Sequence, residues 1–108
     1  MLINITPDNY VSEVAGSSIP VLLYFKAPWC TSCKVITPII EQLSEDRLDI
    51  KFAQVDIDAH QDLAVQFHIT TVPTFILTFK GGVQDHRVGV QSRYEIDKML
   101  NQFFDSND

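Results

Sequence analysis

The residues best suited to covalent chemistry lie in one hexapeptide, Trp29-Cys30-Thr31-Ser32-Cys33-Lys34, which holds both cysteines of the chain. Of all pairs of positions, only about one in fifty has this spacing. The placement says more than the spacing. An apolar run, Val21–Phe25, ends just upstream, and an amphipathic helical pattern begins at Lys34. Cys30 therefore falls at or just before a helix's first turn, where free backbone N–H groups and the positive end of the helix dipole favour an anion. Only the thiolate is a nucleophile, and an ordinary cysteine, with a pKa of ~8.5, is mostly thiol at neutral pH. Lowering that value by about one and a half units takes roughly 2 kcal/mol, within reach of a helix end and a thiol donor. Cys33, one turn later, is placed to attack a mixed disulfide formed at Cys30. The pattern points to thiol–disulfide exchange, with Cys30 attacking and Cys33 releasing the product.

Blander uses of the pair are weaker. A closed zinc site takes about four ligands. There is no second cysteine pair, and His60, His68 and His86 are scattered without ligand spacing, so no metal is expected. Buried free cysteines often act as small hydrophobes, but a loop position beside Trp29 argues against that. A static disulfide across so short a loop gains little chain-entropy stabilisation. His68, near a helix end, reads as a favourable charge for the dipole. Asp56 and Asp58 read as turn and cap residues rather than a catalytic pair. Neither a Ser-His-Asp arrangement nor a glycine-rich phosphate loop is present.

The elements that position the pair alternate between strand and helix. Leu2–Ile5 reads as a short strand, and Thr6-Pro7-Asp8 as a helix start with Thr6 as N-cap and Pro7 at the first helical position. Val21–Phe25 has the pattern of a strand covered on both faces. Ile36, Ile39, Ile40 and Leu43 form one apolar helical stripe, with Pro38 inside it as a kink rather than a break. Ile50–Val55 reads as a strand and residues 60 to 67 as a short helix. Thr74–Phe79, a turn at Gly81-Gly82 and Val83–Val88 make a hairpin. Ser92-Arg93-Tyr94-Glu95 is a capping box opening a last helix that carries Ile96, Met99, Leu100 and Phe103. The order β-α-β-α-β-α-β-β-α favours an α/β fold with a parallel portion and a closing hairpin. A polar tail at Asp105–Asp108 is expected to fray.

Composition excludes several classes. The 108 residues include 8 basic and 14 acidic side chains, for a net charge of −6, and 45% are apolar. This length suits one domain over 1–108. An acidic chain is a poor partner for nucleic acid or an anionic membrane, both of which demand clustered Lys and Arg. No stretch approaches the roughly 20 apolar residues of a membrane span. The segment Met1–Thr6 lacks a basic region and a long apolar core, so it does not read as a secretory signal. A cytoplasmic monomer is the expectation.

The whole pattern resembles the thioredoxin family. The resemblance runs through Val21–Phe25, Ala27-Pro28-Trp29-Cys30, Cys33-Lys34 and Pro38. It continues through Val55-Asp56-Ile57-Asp58, Thr71-Val72-Pro73-Thr74, Phe79-Lys80-Gly81-Gly82 and Val88-Gly89. It implies a thioredoxin fold, a central mixed sheet with helices on both faces. It also implies a protein-disulfide reductase that draws electrons from a thioredoxin reductase, acts on disulfide-containing proteins and carries no bound cofactor. By the same resemblance Pro73 is cis and lies against the active-site disulfide, and Trp29, Val72, Pro73, Val88 and Gly89 form an apolar docking surface.

The departures from the family are informative too. Thr31-Ser32 stands where the family carries Gly-Pro, which frees φ and restores a backbone N–H, so the redox potential should differ, with its sign open. Tyr24 replaces the family's buried acid, and tyrosine, with a pKa of ~10, is a poor base. Gln54 replaces the lysine that accompanies that acid, a consistent loss, because a buried lysine without its acid is an uncompensated charge. Lys26 replaces the first of two tryptophans, as a solvated strand end or as a charge that tunes Cys30. The release step at Cys33 should accordingly be slower than in an ordinary thioredoxin. Two other readings stay open: a catalytically weak thioredoxin-fold binding module, and a glutaredoxin-like protein holding an iron–sulfur cluster through Cys30.

Overall fold

Val21–Phe25 is apolar at every position, so a strand made from it needs cover on both faces. The computed structural model, which describes residues 1–106, provides that cover. Its strands are β1 (Ile3–Asn4), β2 (Val21–Lys26), β3 (Lys51–Asp56), β4 (Thr74–Phe79) and β5 (Gly82–Val88). They form one sheet of order β1-β3-β2-β4-β5, so β2 is central. The pairs β1–β3 and β2–β3 are parallel, while β2–β4 and β4–β5 are antiparallel.

Alternate residues of β2 enter opposite layers, as the pleat requires. Leu22 and Tyr24 pack with Ile36, Ile40 and Leu43 of α1 (Thr31–Asp46) and with Ile96, Met99, Leu100 and Phe103 of α3 (Arg93–Ser106). Val21, Leu23 and Phe25 pack on the other side with Val14 and with Leu63 of α2 (Gln61–Gln66). The apolar stripe of α1 is buried as its period requires, with Ile39 half-buried at its margin, and α1 runs without a break through Pro38. Beyond α1, Arg47 reaches Asp49 at 2.9 Å, Asp97 at 3.3 Å and Asn101 at 2.9 Å, tying the end of α1 to α3.

Three local expectations change. The helix expected after Thr6 is a five-residue π-helical stretch, Val11–Ala15. The turn before it closes when the Thr6 N–H donates to Asn9 Oδ1 at 2.8 Å, so Asn9 supplies the capping side chain expected of Thr6. The hairpin turn is Lys80-Gly81, not Gly81-Gly82. Both residues have positive φ, 52° and 82°, as a two-residue hairpin loop demands, and Gly82 already pairs with Phe79. The tail begins later than its composition suggests: Asp105 and Ser106 belong to α3, and Asn107 and Asp108 lie outside the described residues. The Ser92–Glu95 capping box forms in full, with reciprocal bonds of 3.0 and 3.1 Å.

The registers decide what meets at the ends of the strands. Phe25 pairs with Thr74, Thr74 with Val88, and Lys26 with Asp56. The exits of β2, β3 and β5 and the entry of β4 therefore share one end of the sheet. That brings residues 26–34, 56, 72–73 and 88–89 together.

Candidate active site

Cys30 is the N-cap of α1, in extended conformation, and is disulfide-bonded to Cys33 with the two Cα atoms 5.3 Å apart. Its sulfur accepts the Cys33 N–H at 3.2 Å and lies 3.5 Å from Ser32 Oγ. A sulfur in that position meets the otherwise unpaired donors of a helix end. Those donors favour the thiolate once the disulfide is opened. Trp29 beside it is 63% exposed, whereas Cys30 is 4% and Cys33 2% exposed. Thr31 and Lys34 are exposed and Ser32 is half-buried.

Tyr24, expected to tune the site, lies beneath Cys33. Its ring is buried and stacked on Phe75, with centroids 5.3 Å apart. Its hydroxyl donates to the Cys33 carbonyl at 3.1 Å and lies 2.9 Å from Thr37 Oγ1, which itself donates to that carbonyl at 2.7 Å. Burial pushes the phenol above its ordinary range, opposed by the bond to Thr37. Tyr24 is therefore no base at neutral pH. Gln54 is its register partner in β3 and donates to Asn4 Oδ1 at 2.7 Å. Gln54 Oε1 is the one buried side-chain oxygen among the described residues without a hydrogen-bond partner.

On the other flank a cleft of about 280 Å³ is lined by Lys26, Ala27, Pro28, Cys33, Lys34, Thr37 and Asp56. Asp56 caps the turn after β3, as its sequence context suggests, through Oδ1 to the N–H groups of Asp58 at 2.9 Å and Ala59 at 3.2 Å. Asp56 also lines this cleft with Cys33, which spacing alone does not show. Thr37 escaped the sequence reading as well, although it follows Cys33 by four residues and so shares its helix face.

The Val72–Pro73 peptide bond is cis. Pro73 is buried, Val72 half-buried and Val88 exposed, and the Gly89 N–H donates to the Pro73 carbonyl at 2.9 Å. Gly89 has φ +92°, a conformation that side chains resist. The histidines stay apart from the cysteines. His60 stands at the N-cap position of α2 without a side-chain capping bond, while His68 and His86 line a separate groove of about 610 Å³ that reaches Val88.

A parallel–antiparallel sheet that sets a Cys-X-X-Cys disulfide on a helix N-cap defines a thiol–disulfide oxidoreductase of thioredoxin fold. The thioredoxin family model matches residues 1–102. Thioredoxin from Rickettsia bellii is 32% identical over 94% of this chain and 97% of its own. Thioredoxin from Haemophilus influenzae is 31% identical over 94% and 95%. A bifunctional thioredoxin reductase/thioredoxin from Mycobacterium leprae is 36% identical over 80% of this chain and 19% of its own. The chain belongs to the thioredoxin family, and it is a protein-disulfide reductase.

Proposed function

We propose that Cys30 attacks a disulfide in a partner protein and that Cys33 resolves the resulting mixed disulfide. The observation that carries this assignment is the asymmetry of the pair. Cys30 sits at the helix N-cap with the Cys33 N–H on its sulfur, while Cys33 lies inside the first turn of α1. The first attack breaks the partner's S–S bond and releases one partner thiolate. The second forms the Cys30–Cys33 disulfide and releases the other, so two electrons pass to the partner. The exposed ring of Trp29, together with Val72, Pro73, Val88 and Gly89, offers the docking surface. Thr31, Ser32 and Lys34 frame the nucleophile, and Lys26 is a charge beside the pair.

Reduction of the spent disulfide falls to a thioredoxin reductase. The Mycobacterium leprae relative, whose name joins both activities, supports such a partnership. The protein acts as a single domain over 1–108, as a cytoplasmic monomer, with neither bound cofactor nor metal and without nucleic acid or membrane as partner. No helix among the described residues is long and apolar enough to cross a membrane.

The test is equilibration of the pair against a glutathione redox series, with insulin-disulfide reduction assayed on the same sample. Turnover that Cys30→Ser abolishes, and an adduct at Cys30 that Cys33→Ser traps, are the expected results. Partner capture that survives Cys30→Ser would replace this reading with a non-catalytic binding module.

A further inference from the structure

If Cys33 is the resolving thiol, as proposed above, product release requires it to lose a proton. Cys33 is 2% exposed. Burial disfavours a bare thiolate, so a group close by must take the proton. Tyr24 cannot, since burial holds its phenol protonated and its hydroxyl donates to the Cys33 carbonyl. Thr37 bonds that same carbonyl. The sulfur of Cys30 is engaged in the mixed disulfide at that moment.

What remains is the cleft of about 280 Å³ onto which Cys33 opens. Lys26, Lys34, Thr37 and Asp56 give it polar groups, and it is roomy enough for bridging water. Its charged and titratable groups come from three elements: Lys26 at the end of β2, Cys33 and Lys34 on α1, and Asp56 at the end of β3. Asp56 is the only carboxylate among them. Its two turn-capping bonds both use Oδ1, and a carboxylate has about four acceptor sites, so holding the turn does not exhaust it. Lys26 is the register partner of Asp56 and, with Lys34, supplies positive charge where negative charge develops.

We propose that Asp56 accepts the proton of Cys33 during release, through water in this cleft, with Lys26 favouring the charged species. Cys33 Sγ bonds to Cys30 Sγ, the bond from Cys30 to the partner sulfur breaks, and its electron pair leaves on the partner thiolate. The proton of Cys33 passes to Asp56 and from there to the departing thiolate or solvent. The partner sulfur is reduced and Cys33 oxidised, with no further reactant. The family's buried acid is thus replaced from the neighbouring strand, on the open side of the cysteine.

Asp56→Asn is a clean test, because asparagine keeps an Oδ1 acceptor for the turn and loses only the base. Reduced full-length protein is mixed with excess bis(thionitrobenzoate), which releases one coloured thiolate on attack by Cys30 and a second on resolution. The first phase should be unchanged. The second should slow by about 10- to 100-fold near neutral pH, recover as the pH is raised and hydroxide takes the proton in place of the carboxylate, and speed up with added acetate. A second phase as fast as the parent's, or one slowed equally at every pH and indifferent to acetate, would overturn the proposal. A second phase that persists in Cys33→Ser would instead show that Cys33 is not the resolving thiol, and the role of Asp56 would fall with that assignment.

Discussion

The hydroxyl of Tyr24 donates to the backbone carbonyl of Cys33 at 3.1 Å. The side chain standing where the family carries a buried acid thus holds the backbone of Cys33 and leaves its thiol alone. Thr37 reaches the same carbonyl from within α1 at 2.7 Å, one residue before Pro38, whose missing N–H leaves the first turns of the helix short of one bond. Two hydroxyls therefore brace the turn that carries the second cysteine.

Tyr24→Phe keeps the ring on Phe75 and removes only the hydroxyl. It should cost about 1 kcal/mol in urea denaturation. Because Thr37 shares the acceptor, Thr37→Val should cost less in the Tyr24→Phe background than alone, with a coupling of about 0.5 kcal/mol or more. Additive losses would mean that the two hydroxyls act independently. The phenol also gives an alkaline signature. Its folded titration is raised by burial, so the neutral form is favoured on folding. The resulting stability is complete below the ordinary value of ~10 and is lost as pH rises through the folded one. Tyr24→Phe should flatten that alkaline decline.

Ser32 gives a sign to a difference that the sequence left open. Its hydroxyl lies 3.5 Å from Cys30 Sγ, alongside the Cys33 N–H at 3.2 Å. Donors on that sulfur stabilise the thiolate of the reduced pair, and a more stable reduced form is a stronger oxidant. Ser32→Ala should make the pair more reducing by about 10–20 mV, the equivalent of a hydrogen bond worth about 0.5–1 kcal/mol. Glutathione equilibration measures it directly. A shift in the opposite direction would mean that backbone freedom at residue 32 outweighs the hydroxyl.

Arg47 supports a stability prediction with a defined pH window. Its hydrogen bond holds Asp49 below the usual carboxylate range, partly offset by burial. A depressed carboxylate adds stability that is present above its unfolded value of ~3.9 and is lost as pH falls through its folded one. Arg47→Met should cost about 1 kcal/mol at neutral pH, a figure kept small because Asp49 is half exposed and screened. The cost should shrink as the pH falls below about 4 and Asp49 protonates. A cost constant down to pH ~3 would assign it to packing of the arginine stem instead.

Much of this molecule was legible because its signals are local. The unbroken apolar run Val21–Phe25 marks the central strand, the period of Ile36, Ile40 and Leu43 marks α1, and Ser92 with Glu95 marks the start of α3. Cys30 as N-cap follows from where the strand pattern stops and the helical one begins. The illegible parts depend on register. Only the pairing of Lys26 with Asp56 reveals that a turn-capping aspartate borders the cleft beside Cys33. Only the depth of α1 against β2 brings the Thr37 and Tyr24 hydroxyls onto one carbonyl. The π-helical stretch at Val11–Ala15 escaped because apolar spacing over five residues does not distinguish it from an α-helical turn.

Two glycines with similar backbones separate fold from function. Gly81 has φ +82° and Gly89 φ +92°, and a Cβ added at either meets nothing within 4 Å. Alanine should therefore cost each about 1–2 kcal/mol through backbone conformation alone. Gly81 turns the distal hairpin, whereas the Gly89 N–H holds the Pro73 carbonyl at 2.9 Å. Gly81→Ala should lower the melting temperature and leave insulin reduction by the folded protein unchanged. Gly89→Ala should lower it by a similar amount and also raise KM for the protein substrate several-fold, with little change in attack on a small aromatic disulfide that needs no docking surface. Equal KM values in the two variants would remove Gly89 from the docking surface and leave it a structural role alone.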